Sequence, residues 1–202
     1  MALRLNGATS GYVELNAPDA AGSNTLTLPT GNGNADQVLS TNGSGTLSFV
    51  DRGRMTLATA QNSTSGTSID FTGIPSWVKR ITVMFNGVST SGVAGLQIQI
   101  GTSSGIETTG YIGSSGTQAN SSAFTINGGS SAAATTYSGI IVIANFSSNT
   151  WTQSGVLGRG DGVATVSSAG AKSLSAVLTQ LRVTTSGTDT FDAGSINIMY
   201  EG

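Results

Sequence analysis

Apolar side chains recur at every second position along this chain, from Leu26 and Leu28 near one end to Ile196, Ile198 and Tyr200 near the other. Ile81, Val83 and Phe85 share one face, and Leu96, Ile98 and Ile100 share another, with Gln97 and Gln99 opposite. Leu47 and Phe49 alternate with Thr46 and Ser48, and Leu181 and Val183 with Arg182 and Thr184. In an extended strand successive side chains point to opposite faces, so this period makes one face apolar and the other polar. It predicts antiparallel sheets with one buried face. The single helical signal, one turn at Asp36-Gln37-Val38-Leu39, lies between Gly33 and Gly43.

Five Asn-Gly pairs, beginning at Asn6, Asn32, Asn42, Asn86 and Asn127, punctuate these runs. Asn-Gly accepts the positive φ angles of tight turns, so hairpins and short meanders are expected. No fixed repeat period appears, which argues against a solenoid. The fold class predicted is all-β, an antiparallel β-sandwich of jelly-roll-like kind. Ile81, Val83, Phe85, Leu96, Ile98, Ile100, Ile196, Ile198 and Tyr200 are expected to face one core, because a slip of one residue would turn each set outward.

Charge and Gly interrupt the pattern at Asp51-Arg52-Gly53-Arg54, which places a boundary between residues 1–52 and 53–202. The first segment is thin in large apolar side chains. At its size a lone core is marginal without metals, disulfides or oligomerisation. The chain has no Cys and no His, so disulfides, thiolate sites and imidazole-dependent metal sites fall away. Oligomerisation is what remains for residues 1–52. Residues 53–202 are long enough to bury a core of their own.

The same composition narrows function. Charged side chains make up 9% of the 202 residues, and the eight Lys and Arg form no basic stripe. Phosphate neutralisation, the main source of nucleic-acid affinity, has little to act through. Triads that use imidazole are impossible. The opening Met-Ala-Leu-Arg-Leu-Asn-Gly has no apolar stretch of signal-peptide length, and the longest apolar run, Ile140-Ile141-Val142-Ile143-Ala144, is far short of a membrane span. The expectation is a non-enzymatic chain without cofactor, made in the cytoplasm and not inserted in membrane. The sequons at Asn62, Asn120 and Asn145 carry no meaning there.

Two stretches bear a resemblance. Ser10-Gly11-Tyr12-Val13-Glu14-Leu15-Asn16-Ala17-Pro18, followed by Gly22-Ser23-Asn24-Thr25-Leu26-Thr27-Leu28-Pro29, resembles segments of tail-fibre and other virion appendage proteins of tailed phages, notably those of marine cyanobacteria. Ala35-Asp36-Gln37-Val38-Leu39-Ser40-Thr41-Asn42-Gly43 and Gly45-Thr46-Leu47-Ser48-Phe49-Val50 continue the pattern. The run from Asp70-Phe71-Thr72-Gly73-Ile74-Pro75-Ser76-Trp77 to Phe85 looks like the opening of a C-terminal domain common in phage fibres. Thr188-Asp189-Thr190-Phe191-Asp192-Ala193-Gly194 through Glu201 looks like its close. The resemblance implies a trimeric virion fibre, made in a bacterial cytoplasm, in which residues 1–52 form a short intertwined β-segment; it joins other virion proteins of tail, portal adaptor or capsid, and often takes part in host recognition.

Candidate sites follow from residue chemistry. Sugars are bound by ring stacking plus a few polar groups, which singles out Tyr111, Tyr137 and Trp151 as glycan-binding candidates, although large aromatics are more often buried at core edges. Trp77 is expected to cap the sandwich beside Pro75. Segments 101–122 and 127–138 are rich in Gly, Ser, Thr and Ala, lack alternation, and read as loops suited to a neutral host-surface glycan. Asp189 and Asp192 fit a turn better than a calcium loop or a glycosidase pair. Arg159-Gly160-Asp161 arises easily by chance among 29 Gly. A capsid decoration protein with no receptor role is the main alternative. A depolymerase spike is a weaker one, since it would show clustered acids on a repeating β-helix.

Overall fold

The computed structural model describes residues 3–20, 22–127, 132–133, 135–162 and 164–202. Among these residues every regular element is a strand, and no helix occurs. The chain divides between Arg52 and Gly53 into two compact units.

In the first unit, β1 (Leu3–Asn6) pairs antiparallel with β2 (Tyr12–Leu15), and β3 (Gln37–Thr41) with β4 (Leu47–Asp51). The helical turn expected at 36–39 is therefore a strand, entered through Asp36 at φ 68°. The strand expected around Leu26 and Leu28 reduces to one parallel bridge, Thr27 to Thr46. Pro29 can donate no ladder hydrogen bond, and Leu26 and Leu28 are exposed.

The second unit holds β5 (Met55–Leu57), β6 (Gln61–Asn62), β7 (Ser68–Thr72), β8 (Arg80–Thr90), β9 (Leu96–Thr102), β10 (Gly105–Ile106) and β11 (Tyr111–Ser115). It continues with β12 (Gln118–Ala119), β13 (Phe124–Thr125), β14 (Tyr137–Ser147), β15 (Thr150–Arg159), β16 (Thr165–Ser173), β17 (Gln180–Thr185) and β18 (Phe191–Glu201). A nine-stranded sheet runs β12-β11-β16-β15-β14-β8-β18-β5, with β6 also on β18, and curls as a half-barrel. A five-stranded sheet runs β10-β9-β17-β7, with β13 also on β9. All these pairings are antiparallel.

The core lies between the two sheets. Ile81, Val83 and Phe85 of β8, Ile196 and Ile198 of β18, and Ile141 and Ile143 of β14 are buried from one side. Leu96, Ile98 and Ile100 of β9, Leu181 and Val183 of β17, and Ile69 and Phe71 of β7 are buried from the other. Eight of the nine residues expected to share one core are thus buried, and Tyr200 is half-buried against it. Burying such side chains contributes roughly 1.5–3 kcal/mol each before entropy is counted.

Asn86-Gly87 makes no hairpin turn. It sits within β8 as a bulge: the register shifts there against both neighbours, and Phe85 and Val88, three residues apart, both face the core. Gly87 takes φ 64°, the conformation that a bulge of this kind asks of its glycine. On the neighbouring strand Gly194 lies at φ 90°, where a Cβ would stand 2.4 Å from the Gly87 carbonyl oxygen.

Segment 101–122, expected as loop, contains β10, β11 and β12. The inward positions of β11 are Tyr111, Gly113 and Ser115, so the strand is made by backbone pairing to β16 and carries little apolar alternation. In segment 127–138, residues 128–131 and 134 lie outside the described residues, while Thr135 is buried and Tyr137 opens β14.

Candidate functional site

The three aromatic candidates are in the core. Tyr111, Tyr137 and Trp151 are 3%, 3% and 4% exposed. Each occupies an inward position of a strand, where small or polar neighbours hide the alternation. Tyr111 meets the Phe124 ring edge-on at 4.9 Å. The Ile100 N–H donates to its hydroxyl at 2.8 Å, and the hydroxyl donates to the Glu107 carbonyl at 2.9 Å. Burial pushes this phenol well above its ordinary pKa; the Ile100 hydrogen bond opposes and the Glu107 charge adds to the shift. The Tyr137 hydroxyl accepts from Asn127 Nδ2 at 3.0 Å. Rings this buried offer no open face for a sugar to stack on, and all three take the core-edge burial that is the more frequent place for large aromatics.

The other motifs are engaged within the fold. Asp189 accepts the Ala94 N–H at 2.8 Å, and Asp192 accepts the Ser89 hydroxyl. Both bond across to the β8–β9 side and not to their own turn. No group of three or more His, Cys, Asp or Glu is placed to hold a metal among the described residues. Arg159 and Asp161 pair with each other, Nε to Oδ1 at 3.1 Å, and Thr135 donates to Asp161 at 3.1 Å. The Arg-Gly-Asp side chains are therefore bound to one another. Trp77 packs half-buried against the end of the core, 5.9 Å from the Tyr200 ring and 5.6 Å from the Arg54 guanidinium.

What the fold does assemble is a polar cleft of about 300 Å³, lined by Gln97, Gln118, Ser121, Thr125, Asn127 and Ser186, with Val93 at its edge. Gln97 faces Thr125 on one side and Thr184 on the other through the β9 ladders. Asn127 is fixed by its carboxamide: the oxygen accepts the Leu96 N–H and Nδ2 donates to Tyr137. Ser186 is fixed by accepting the Gly95 N–H at 2.8 Å. A Cβ on Gly95 would stand 2.8 Å from the Asn127 carbonyl oxygen, so the backbone approach that shapes this wall requires glycine. Among the described residues the cleft is lined by hydroxyl and amide groups, with no charge and no aromatic ring. Such a lining suits an uncharged polyhydroxyl ligand held by hydrogen bonds.

Segment 101–122 contributes Gln118 and Ser121 to this cleft, while Gln97, Thr125 and Ser186 come from strands and turns with no distinguishing local pattern. Nothing in the sequence joins these four separate stretches; only the sheet register does.

The first unit presents a second kind of surface. None of its described residues is buried. In the β1–β2 register Leu3 faces Leu15 and Leu5 faces Val13, which puts four aliphatic side chains on one side of the hairpin, all more than half exposed. The opposite side carries Arg4, Asn6, Tyr12 and Glu14, with Arg4 bound to Glu14 at 2.9 Å and lying 4.0 Å above the Tyr12 ring. An isolated two-stranded hairpin is marginal in water, and an amphipathic one is completed by something that covers its apolar side.

No family model, no curated protein and no solved structure matches this chain.

Proposed function

We propose that this chain is a non-enzymatic structural protein of a tailed-phage virion, a short tail or capsid fibre that works as a homotrimer. Residues 1–52 form its intertwined attachment and trimerisation segment, joined to other virion proteins. Residues 53–202 form a jelly-roll-like head that meets the host surface. The observation that carries the reading is the uncovered apolar side of Leu3, Leu5, Val13 and Leu15 in a unit with no buried residue of its own among those described. A chain built this way is completed by assembly, and the resemblance of its motifs to phage appendage proteins supplies the kind of assembly.

Host recognition is read at the polar cleft around Gln97, Gln118 and Thr125, with a neutral surface glycan as the ligand class. The alternative, a capsid decoration protein with no receptor role, is favoured by the burial of Tyr111, Tyr137 and Trp151, which removes the stacking faces most sugar sites rely on.

Mass photometry of the purified chain at low concentration tests the assembly, with three times 20.2 kDa expected. A stable monomer overturns it. Adsorption to host cells of the wild type against a Gln97→Ala, Gln118→Ala variant separates the two readings: loss of adsorption with the trimer intact supports recognition at the cleft, and adsorption by neither protein supports decoration.

A further inference from the structure

Among the described residues, one Asn-Gly pair has its carboxamide held by its own turn. Asn42-Gly43 lies exposed between β3 and β4. The Asn42 carboxamide oxygen accepts two backbone N–H groups of that turn, from Ser44 at 2.8 Å and from Thr46 at 3.1 Å. The ring closed by the Ser44 bond runs through the Gly43 peptide, so the carboxamide carbon is folded back toward the Gly43 nitrogen. The proton on that nitrogen is donated to Thr41 Oγ1 at 3.2 Å. No atom lies within 4 Å of where a Cβ on Gly43 would stand, which leaves room for water.

The other Asn-Gly pairs are tied differently. Gly7 N–H donates to the Gly11 carbonyl at 2.9 Å, and Gly87 N–H, within β8, to Ser138 Oγ at 2.9 Å. Gly33 is packed under the Phe49 ring, which would stand 2.6 Å from a Cβ there. Asn127 is 3% exposed, with its carboxamide committed to Leu96 and Tyr137.

Asparagine is chemically labile, and a following glycine puts no side chain in the way of the peptide nitrogen. Donors aimed at an oxygen that gains charge in the transition state speed its formation, and a positioned acceptor helps the nucleophile shed its proton. We infer that Asn42-Gly43 is a self-modification site at which the turn converts Asn42 to aspartate and isoaspartate. The Gly43 nitrogen passes its proton to water through Thr41 Oγ1 and attacks Asn42 Cγ. The former carboxamide oxygen takes the negative charge, facing the Ser44 and Thr46 N–H groups. As that charge collapses back, the Cγ–Nδ2 bond breaks and the amide nitrogen leaves, protonated, as ammonia. Water then opens the resulting succinimide at either carbonyl, and nothing is oxidised or reduced.

The product bears on the first unit. The same turn clips residue 27 in place: Thr27 N–H donates to the Gly45 carbonyl, and the Thr27 carbonyl accepts from Leu47 N–H, both at 2.8 Å. Isoaspartate adds a methylene to the backbone ahead of Gly43 and withdraws the acceptor from Ser44 and Thr46. The modified turn therefore loosens its hold on Thr27, irreversibly and at a rate set by the fold.

The test is to age the full chain in mildly alkaline buffer and map it by mass spectrometry after digestion in acid, with isoaspartate counted by enzymatic methylation. A parallel sample is aged in guanidinium, where sequence alone sets the rate. Asn42 is expected to convert roughly fivefold faster than Asn6, Asn32 or Asn86 in the folded chain, the rate equivalent of one ordinary hydrogen bond. It is also expected to convert faster folded than in guanidinium. Thr41→Val should slow Asn42 by a similar factor, and Thr41→Ser, which keeps the hydroxyl, should restore it. Conversion at Asn42 no faster than at the other three, or slower folded than unfolded, overturns the inference. So does a Thr41→Val chain that ages at the wild-type rate, or a Thr41→Ser chain as slow as Thr41→Val.

Discussion

Glu107 and Lys172 tie the two sheets together. Glu107 follows β10 of the five-stranded sheet, where its N–H bonds the Ile100 carbonyl at 3.1 Å. Lys172 lies at an inward position of β16 in the other sheet and is 5% exposed. The ammonium donates to the Glu107 carboxylate and to the Ser173 carbonyl at 2.6 Å, and lies 5.6 Å from the Tyr111 ring. The other carboxylate oxygen accepts from Ser175 N–H at 2.9 Å and Ser175 Oγ at 2.6 Å. Glu107→Gln leaves a buried cation facing a neutral amide whose NH₂ cannot accept. Removing one partner of a fully buried pair costs about 3–5 kcal/mol; with 22% of the Glu107 side chain exposed, water reaches the site and ~2–3 kcal/mol is expected. Adding Lys172→Met removes the stranded charge, so the double variant should be more stable than Glu107→Gln alone. Urea denaturation of the four proteins measures this directly. Burial raises the Glu107 pKa, but the hydrogen bonds from Lys172 and Ser175 outweigh it and hold the folded value below the ordinary 4.5. A carboxylate lowered on folding contributes stability that is present above its unfolded pKa and lost as pH falls through the folded one. The gap between wild type and Glu107→Gln should therefore be full at neutral pH and close below about pH 4.5. Additive single losses, or a gap that widens in acid, would refute the clamp.

Other outcomes follow from the same packing. Phe85→Ala, opposite Gly139 across the ladder, should cost roughly 3–5 kcal/mol in denaturant, because a glycine neighbour has no side chain to fill the space; a loss near zero would mean that β8 turns its other face inward. Gly194→Ala should lower the melting temperature by an amount equivalent to at least ~1–3 kcal/mol, since the new Cβ meets the Gly87 carbonyl at a strained φ. Tyr111→Phe should destabilise by about 1–3 kcal/mol by leaving the buried Ile100 N–H without its acceptor, while host adsorption stays as in wild type. Leu5→Lys with Val13→Lys, placed on the apolar side of the first hairpin, should weaken assembly without changing the β-signal of the second unit; unaltered mass at low concentration would take that hairpin out of the contact.

The sequence by itself determined the all-β, antiparallel character and the buried face of its strongest strands. Alternation is a covalent property of extended chain: once Ile81, Val83 and Phe85 lie in a strand they share a side and go into the core together. The same logic put Leu96, Ile98 and Ile100 on one side of their own strand; that this strand belongs to the facing sheet was decided by tertiary pairing. It failed where the inward positions carry Gly, Ser and a lone large residue. β11 and β16 are held by their neighbours' backbone hydrogen bonds, so the segment around Tyr111 read as loop and proved to be strand. Asn86-Gly87 read as a turn and became a bulge, because the dipeptide specifies a backbone conformation and the neighbouring strands decide what it serves. The polar cleft was decided by tertiary structure alone. It gathers side chains from stretches far apart in sequence, and the physical quantity that brings them together is the non-local register of the sheets, which no local pattern of residues encodes.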